Sequence, residues 1–216
     1  MIKKCVVLFL AINISSLYAI LGGIGINGAQ DSFTLDGDSF EGPGDIATVT
    51  RTDINSLVGI GGFVYLTAIP FIDFEAGINV TGSLYNYSYE DLSGTLIDQE
   101  FPMAKVTWNL SAQRPIFKIP TIRVYAGGGI NGSTYTEILT FENTTNLDAE
   151  QLSNTDYIED ELAVSTTGFH LEAGARFKPP ILPLSFNANA RYNFIKDMVP
   201  DQNGFLTLSA GIAFAI

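Results

Sequence analysis

Residues Leu184–Phe194, LSFNANARYNF, alternate strictly between two kinds of side chain. Leu184, Phe186, Ala188, Ala190, Tyr192 and Phe194 hold one parity, and Ser185, Asn187, Asn189, Arg191 and Asn193 hold the other. A period of two marks an extended strand whose faces meet different media; a helix would scatter both sets around its axis. One such strand decides little. The constraint comes from recurrence, because amphipathic strands of roughly ten residues separated by turn residues are what a membrane-spanning β-barrel requires.

The pattern recurs along the chain. In residues 20–28, Ile20, Ile24 and Ile26 oppose Gly23, Gly25 and Asn27, and in 55–67, Val58, Ile60, Val64 and Leu66 oppose Gly59, Gly61, Phe63 and Tyr65. Phe74, Ala76, Ile78 and Val80 oppose Asp73, Glu75, Gly77 and Asn79; Ala104, Val106, Trp108 and Leu110 oppose Lys105, Thr107, Asn109 and Ser111. Ile122, Val124 and Ala126 oppose Arg123, Tyr125 and Gly127, and Phe169, Leu171, Ala173 and Phe177 oppose His170, Glu172, Gly174 and Arg176. The final segment sets Leu206, Leu208, Ile212 and Phe214 against Thr207, Ser209 and Gly211. Short turns are expected at 68–71, 114–120 and 178–183, and longer loops at 29–53, 86–100, 136–162 and 195–203. Within the longest loop, residues 146–153 have a helix-capping pattern, with Asn146 as cap and Asp148 and Glu150 near the N-terminus.

Parity alone does not say which face is inside, since a soluble barrel would bury the apolar set. Three features favour lipid outside. No charge falls on the apolar parity of these eight segments, and Arg or Lys at a bilayer midplane costs roughly 2 to 4 kcal/mol. The polar parity dilutes both signs of charge in Asn, Ser, Thr and Gly, whereas a water-facing exterior is normally richer in Lys and Glu. Phe71, Phe74, Trp108, Phe177, Tyr192 and Phe194 fall near the ends of segments, where interfacial girdles sit. The expected fold is all-β: an eight-stranded antiparallel up-and-down transmembrane β-barrel over residues 20–216.

Residues 1–19, MIKKCVVLFLAINISSLYA, read as a cleaved signal peptide, with Lys3 and Lys4 before an apolar core and small residues before the cut. Cys5, the only cysteine, falls inside it, so the mature barrel is expected to have no thiol or disulfide. The formal charge of −12 repels nucleic acid.

Residues 20–216 resemble, in pattern, the eight-stranded bacterial outer-membrane barrels: the transmembrane domain of outer-membrane protein A, the outer-membrane protein W group and the opacity proteins. The resemblance implies an outer-membrane location with periplasmic termini and short turns, extracellular long loops, assembly by the barrel-assembly machinery, lipopolysaccharide as a neighbour and a monomeric unit.

If the polar parity is the interior, Asp73, Glu75 and Glu172 share it with Lys105, Arg123, His170, Arg176 and Arg191. A barrel of eight strands has room only for side chains or one small ligand, so these groups are expected to pair as a structural network. Two G-x-G-x-x-G matches, at Gly23, Gly25, Gly28 and at Gly127, Gly129, Gly132, lack the helix a nucleotide site requires. His170-Leu171-Glu172 departs from the H-x-S pair of the lipid A deacylases, although a serine from another strand could stand in. No cofactor is implied. Asp36, Asp38 and Glu41 are a weak calcium candidate without EF-hand spacing, in loops whose acids would attract divalent cations loosely. The expected function is non-enzymatic, in envelope integrity or surface interaction, with a narrow conduit or binder for a small or apolar solute as alternative and a lipid-modifying enzyme third.

Overall fold

The computed structural model describes residues 22–42, 46–67, 71–91, 93–94, 96–141, 151, 163–195, 198–199 and 202–215. The expected leader at 1–19 lies outside them, as does nearly all of the expected helical turn at 146–153. Among the described residues ten strands are present: β1 (Gly22–Leu35), β2 (Asp38–Glu41), β3 (Ile46–Arg51), β4 (Ile54–Leu66), β5 (Asp73–Asp91), β6 (Leu96–Lys118), β7 (Ile122–Thr136), β8 (Ala163–Phe177), β9 (Leu184–Phe194) and β10 (Phe205–Ala215). Eight of them close a ring in the order β5, β4, β1, β10, β9, β8, β7, β6 and back to β5, every pairing antiparallel. The closing seam between β1 and β10 runs from Gly23 opposite Ala215 to Ser32 opposite Leu206. Closure removes the open sheet edges that cannot exist in hydrocarbon.

The apolar parity points outward. Ile26 and Ile60 are 74% exposed, and Ile78, Leu110, Leu171 and Phe214 stand on the same exterior. A continuous apolar belt around a closed barrel is far larger than the patches a water-soluble monomer exposes, and it makes this a transmembrane barrel. Phe74, Phe177, Phe186 and Phe214 ring its short-turn end, and Phe169, Tyr192 and Phe194 stand at the other, with Phe169 stacked on Phe194 at 4.5 Å. Trp108 is not a girdle residue. It lies within the belt, covering Gly132, where a Cβ would come within 2.5 Å of the indole nitrogen.

The largest correction concerns the loops. Residues 29–53 are not one loop: β1 continues to Leu35, and β2 and β3 form a hairpin whose second strand pairs with β5, Arg51 opposite Tyr87. Residues 86–100 are mostly strand as well, because β5 and β6 stay paired up to Glu90 opposite Leu96. The period of two persists there with its phase inverted. Tyr85, Tyr87 and Tyr89 face inward and are buried, while Asn86 and Glu90 face outward and are exposed. The outside medium has changed from lipid to water, so the apolar side chains turn inward. They join Phe33, Val49, Ile54, Leu57, Phe101, Met103, Leu139, Met198 and Phe205 in an aromatic and aliphatic core that caps the long-loop mouth. Ile54 and Leu57 are both buried though three residues apart; Ser56, at a φ of 52°, and a register shift between β1 and β4 absorb the odd residue.

At the short-turn end β6 also runs further than expected, through 114–118 to Lys118. This puts Arg114 on the exterior parity, below Leu110 and Ala112, so the apolar face does carry one charge, at its rim.

Candidate functional site

The inward parity builds a polar column, and register decides which groups meet. Arg191 on β9 lies opposite Glu172 on β8, and Arg176 lies opposite Arg123 on β7. Two like-charged side chains in one row need a shared counter-ion. Arg123 Nη1 donates to Asp73 at 2.6 Å, and Arg176 Nη1 lies 3.9 Å from the same carboxylate oxygen. Arg176 continues to Glu75 at 3.2 Å and donates through Nε to Asn187 at 2.7 Å, its guanidinium stacked 3.8 Å over the Tyr65 ring. Arg191 then bridges Glu75 at 3.4 Å and Glu172 at 2.7 Å, and donates to Asn109 at 2.9 Å. Glu172 also accepts from Gln113 at 2.8 Å and Asn189 at 3.0 Å. The result is one continuous ladder, Arg123–Asp73–Arg176–Glu75–Arg191–Glu172, climbing from the short-turn end to the middle of the lumen.

Close packing of this column depends on missing side chains. A Cβ on Gly174 would sit 2.5 Å from the Tyr125 hydroxyl, and one on Gly129 would meet the Leu110 carbonyl oxygen at 1.8 Å. A pocket beside the ladder, between Asn27, Asn79, Asn109, Asn189 and Ser209, has a volume of about 20 Å³, room for roughly one water.

Lys105 does not join the ladder. It pairs higher up with Asp31 at 2.6 Å, both side chains 2% exposed, and its ammonium stands 3.9 Å over the Phe205 ring. Thr81 donates to Asp31 at 2.7 Å, and Thr207 donates to its other oxygen. Asp31 is therefore a lumen residue and not one of the external loop acids. Its signal was the parity Asn27, Ala29, Asp31, Phe33, which continues past the point where Asp31 looks like the start of a polar loop. Among the described residues the lumen's four paired carboxylates are matched by four cations.

His170 faces inward, with Nε2 at 2.8 Å from Ser111 Oγ on β6. A serine from another strand does reach it; both side chains are buried in the lumen, Ser111 4% and His170 1% exposed, and among the described residues Nδ1 has no hydrogen-bond partner. Asp36, Asp38 and Glu41 are not gathered into a metal cluster among the described residues. Asp38 instead accepts from the Ser39 amide at 2.8 Å, and Gly37 donates its amide to Asp53 at 2.6 Å.

Above the ion pair the aromatic core seals the column. Phe101 is fully buried, with Tyr85 edge-on at 5.5 Å and Tyr87 at 6.2 Å. Arg51 is buried at the side of this core and donates to the carbonyls of Leu139 at 3.2 Å and Asp36 at 2.9 Å. Burial lowers its pKa and pushes the Tyr87 hydroxyl up to about 12.

No protein-family model matches the chain, and no curated protein sequence matches it. Solved structures similar to it include Ail, the attachment invasion locus protein of Yersinia pestis, in complex with the heparin analogue sucrose octasulfate (12% identity, 90% of this chain and 97% of that one, TM-score 0.48). Others are the outer membrane protein OprG of Pseudomonas aeruginosa (12%, 90% and 92%, TM-score 0.49) and Neisserial surface protein A (12%, 90% and 97%, TM-score 0.43).

Proposed function

We propose that this protein is a non-enzymatic outer-membrane barrel with a closed lumen, acting in envelope integrity or surface interaction through its capped outer end. The observation that carries the reading is the lumen itself: a charge-balanced ladder, a pocket of about 20 Å³ beside it and an aromatic core across one mouth. A conducting pore requires a water-filled path, and among the described residues ion-paired side chains and this core occupy the column. The ends of the ring strands β1 and β10 lie beside the short turns, which supports periplasmic termini and extracellular long connections. In that orientation the outer end carries most of the chain's acids, a surface suited to divalent cations shared with lipopolysaccharide phosphates.

Single-channel recording of the purified protein in planar bilayers tests the closed lumen. Silence, or rare events of low conductance, is the expected result; stable openings of high conductance would overturn it and favour the conduit reading.

A further inference from the structure

The two ends of the barrel differ in charge. Arg114, Lys118 and Lys178 sit at the short-turn ends of β6 and β8, exposed or half-buried, and none takes part in an ion pair among the described residues. Among the described residues the only carboxylate side chain at that end, Asp73, is buried beneath them and already held by Arg123 and Arg176. Register brings the cations to one sector. Lys118 lies opposite Arg123 at the foot of the β6–β7 hairpin, and the Lys178 amide donates to the Thr121 carbonyl of that hairpin's turn at 2.8 Å, tying β8 to it. Large apolar side chains stand among them: Ile116 is 70% exposed, Phe117 52% and Ile181 92%.

We propose that this basic and apolar collar binds anionic phospholipid headgroups in the leaflet at the short-turn end. Two requirements select the occupant. Three unpaired cations call for phosphate-bearing anions, and the interleaved Ile116, Phe117 and Ile181 call for acyl chains, which a soluble polyanion would not supply. Arg114 joins the two: it leaves the strand on the lipid-facing parity, so its guanidinium reaches the headgroups while its stem lies along hydrocarbon. A basic side chain near an anionic membrane surface contributes about 5-fold in association. Three in one sector are enough to select the lipids they face.

The inference rests on the transmembrane reading. The test is electron spin resonance of the full chain, refolded and reconstituted in phosphatidylcholine bilayers containing spin-labelled phosphatidylglycerol or spin-labelled phosphatidylcholine. Motionally restricted lipid reports the barrel's lipid shell, and its absence for both labels would defeat the transmembrane reading itself. The collar predicts a several-fold preference for phosphatidylglycerol, falling toward unity in the Arg114→Gln/Lys118→Gln/Lys178→Gln variant and, for the unmodified protein, in 0.5 M salt (about 4 Å of screening length). Restricted lipid without headgroup preference, or a preference that survives both the triple variant and salt, would overturn the proposal. Should the triple variant fail to fold, Lys178→Gln alone decides: an unchanged preference in it and in salt overturns the collar, and a reduced one supports it.

Discussion

Glu172 and Arg191 face each other across the β8–β9 pairing, and Arg191 Nη2 reaches the Glu172 carboxylate at 2.7 Å, with both side chains buried. The pair is the upper end of the lumen ladder. Because Arg191 also bridges Glu75, removing either partner strands a charge in a space where water cannot fully replace it.

Glu172→Leu and Arg191→Met are each therefore expected to destabilise the barrel by about 3 to 5 kcal/mol, whereas the two combined recover most of the loss. Urea unfolding in lipid vesicles measures both. If the two single-site losses simply add in the double variant, the ladder is not a coupled unit.

Emptying part of the ladder should not open the barrel. Arg191→Ala is expected to stay non-conducting, because the aromatic core still closes the other mouth. Conductance should emerge only when Arg176→Ala and Arg191→Ala are combined with removal of the cap residues Tyr85 and Phe101. Planar-bilayer recordings of the single and combined variants separate the two closures, and stable openings from Arg191→Ala alone would contradict this ordering.

Phe101→Ala removes the ring that Tyr85 and Tyr87 pack against, at a cost of about 3 to 5 kcal/mol. The loss should fall on the outer extension of β5 and β6, leaving the belt intact. Limited digestion with a nonspecific protease should then cut near residues 86–100 while heat-modifiable gel migration remains. A variant as resistant as the unmodified protein would show that the cap does not depend on Phe101.

Burial holds Tyr87 neutral up to about 12, against an unfolded value of roughly 10. A folded pKa above the unfolded one means its stabilising contribution is complete below pH 10 and is lost as pH rises through 12. The absorbance at 295 nm that Tyr87→Phe removes should titrate near pH 12 in the folded protein and near pH 10 in denaturant. A midpoint near 10 in the folded protein would place the hydroxyl in water.

Much of this protein was legible from side-chain parity alone. The eight membrane segments, the outward apolar face and the inward position of Asp73, Glu75, Arg123, Glu172, Arg176 and Arg191 follow from a local period of two, which lipid enforces residue by residue. Parity failed where the outside medium changed. The run Tyr85, Asn86, Tyr87, Ser88, Tyr89, Glu90 keeps the same period in inverted phase, so a search for outward apolar residues sees a polar loop where β5 continues. Asp31 is hidden in the same way, since its strand runs past the belt.

Only the tertiary structure decided the partners. Parity says that a cation points inward, but the register between neighbouring strands sets its height in the lumen, and curvature of the ring sets what it faces. Hence Lys105 meets Asp31 from β1 and not the ladder below, although β1 and β6 are far apart in sequence and are not paired strands. The strands and their solvent are properties of short stretches of sequence; the charge ladder, the cap and the collar exist only because closure brings distant strand ends to the same level.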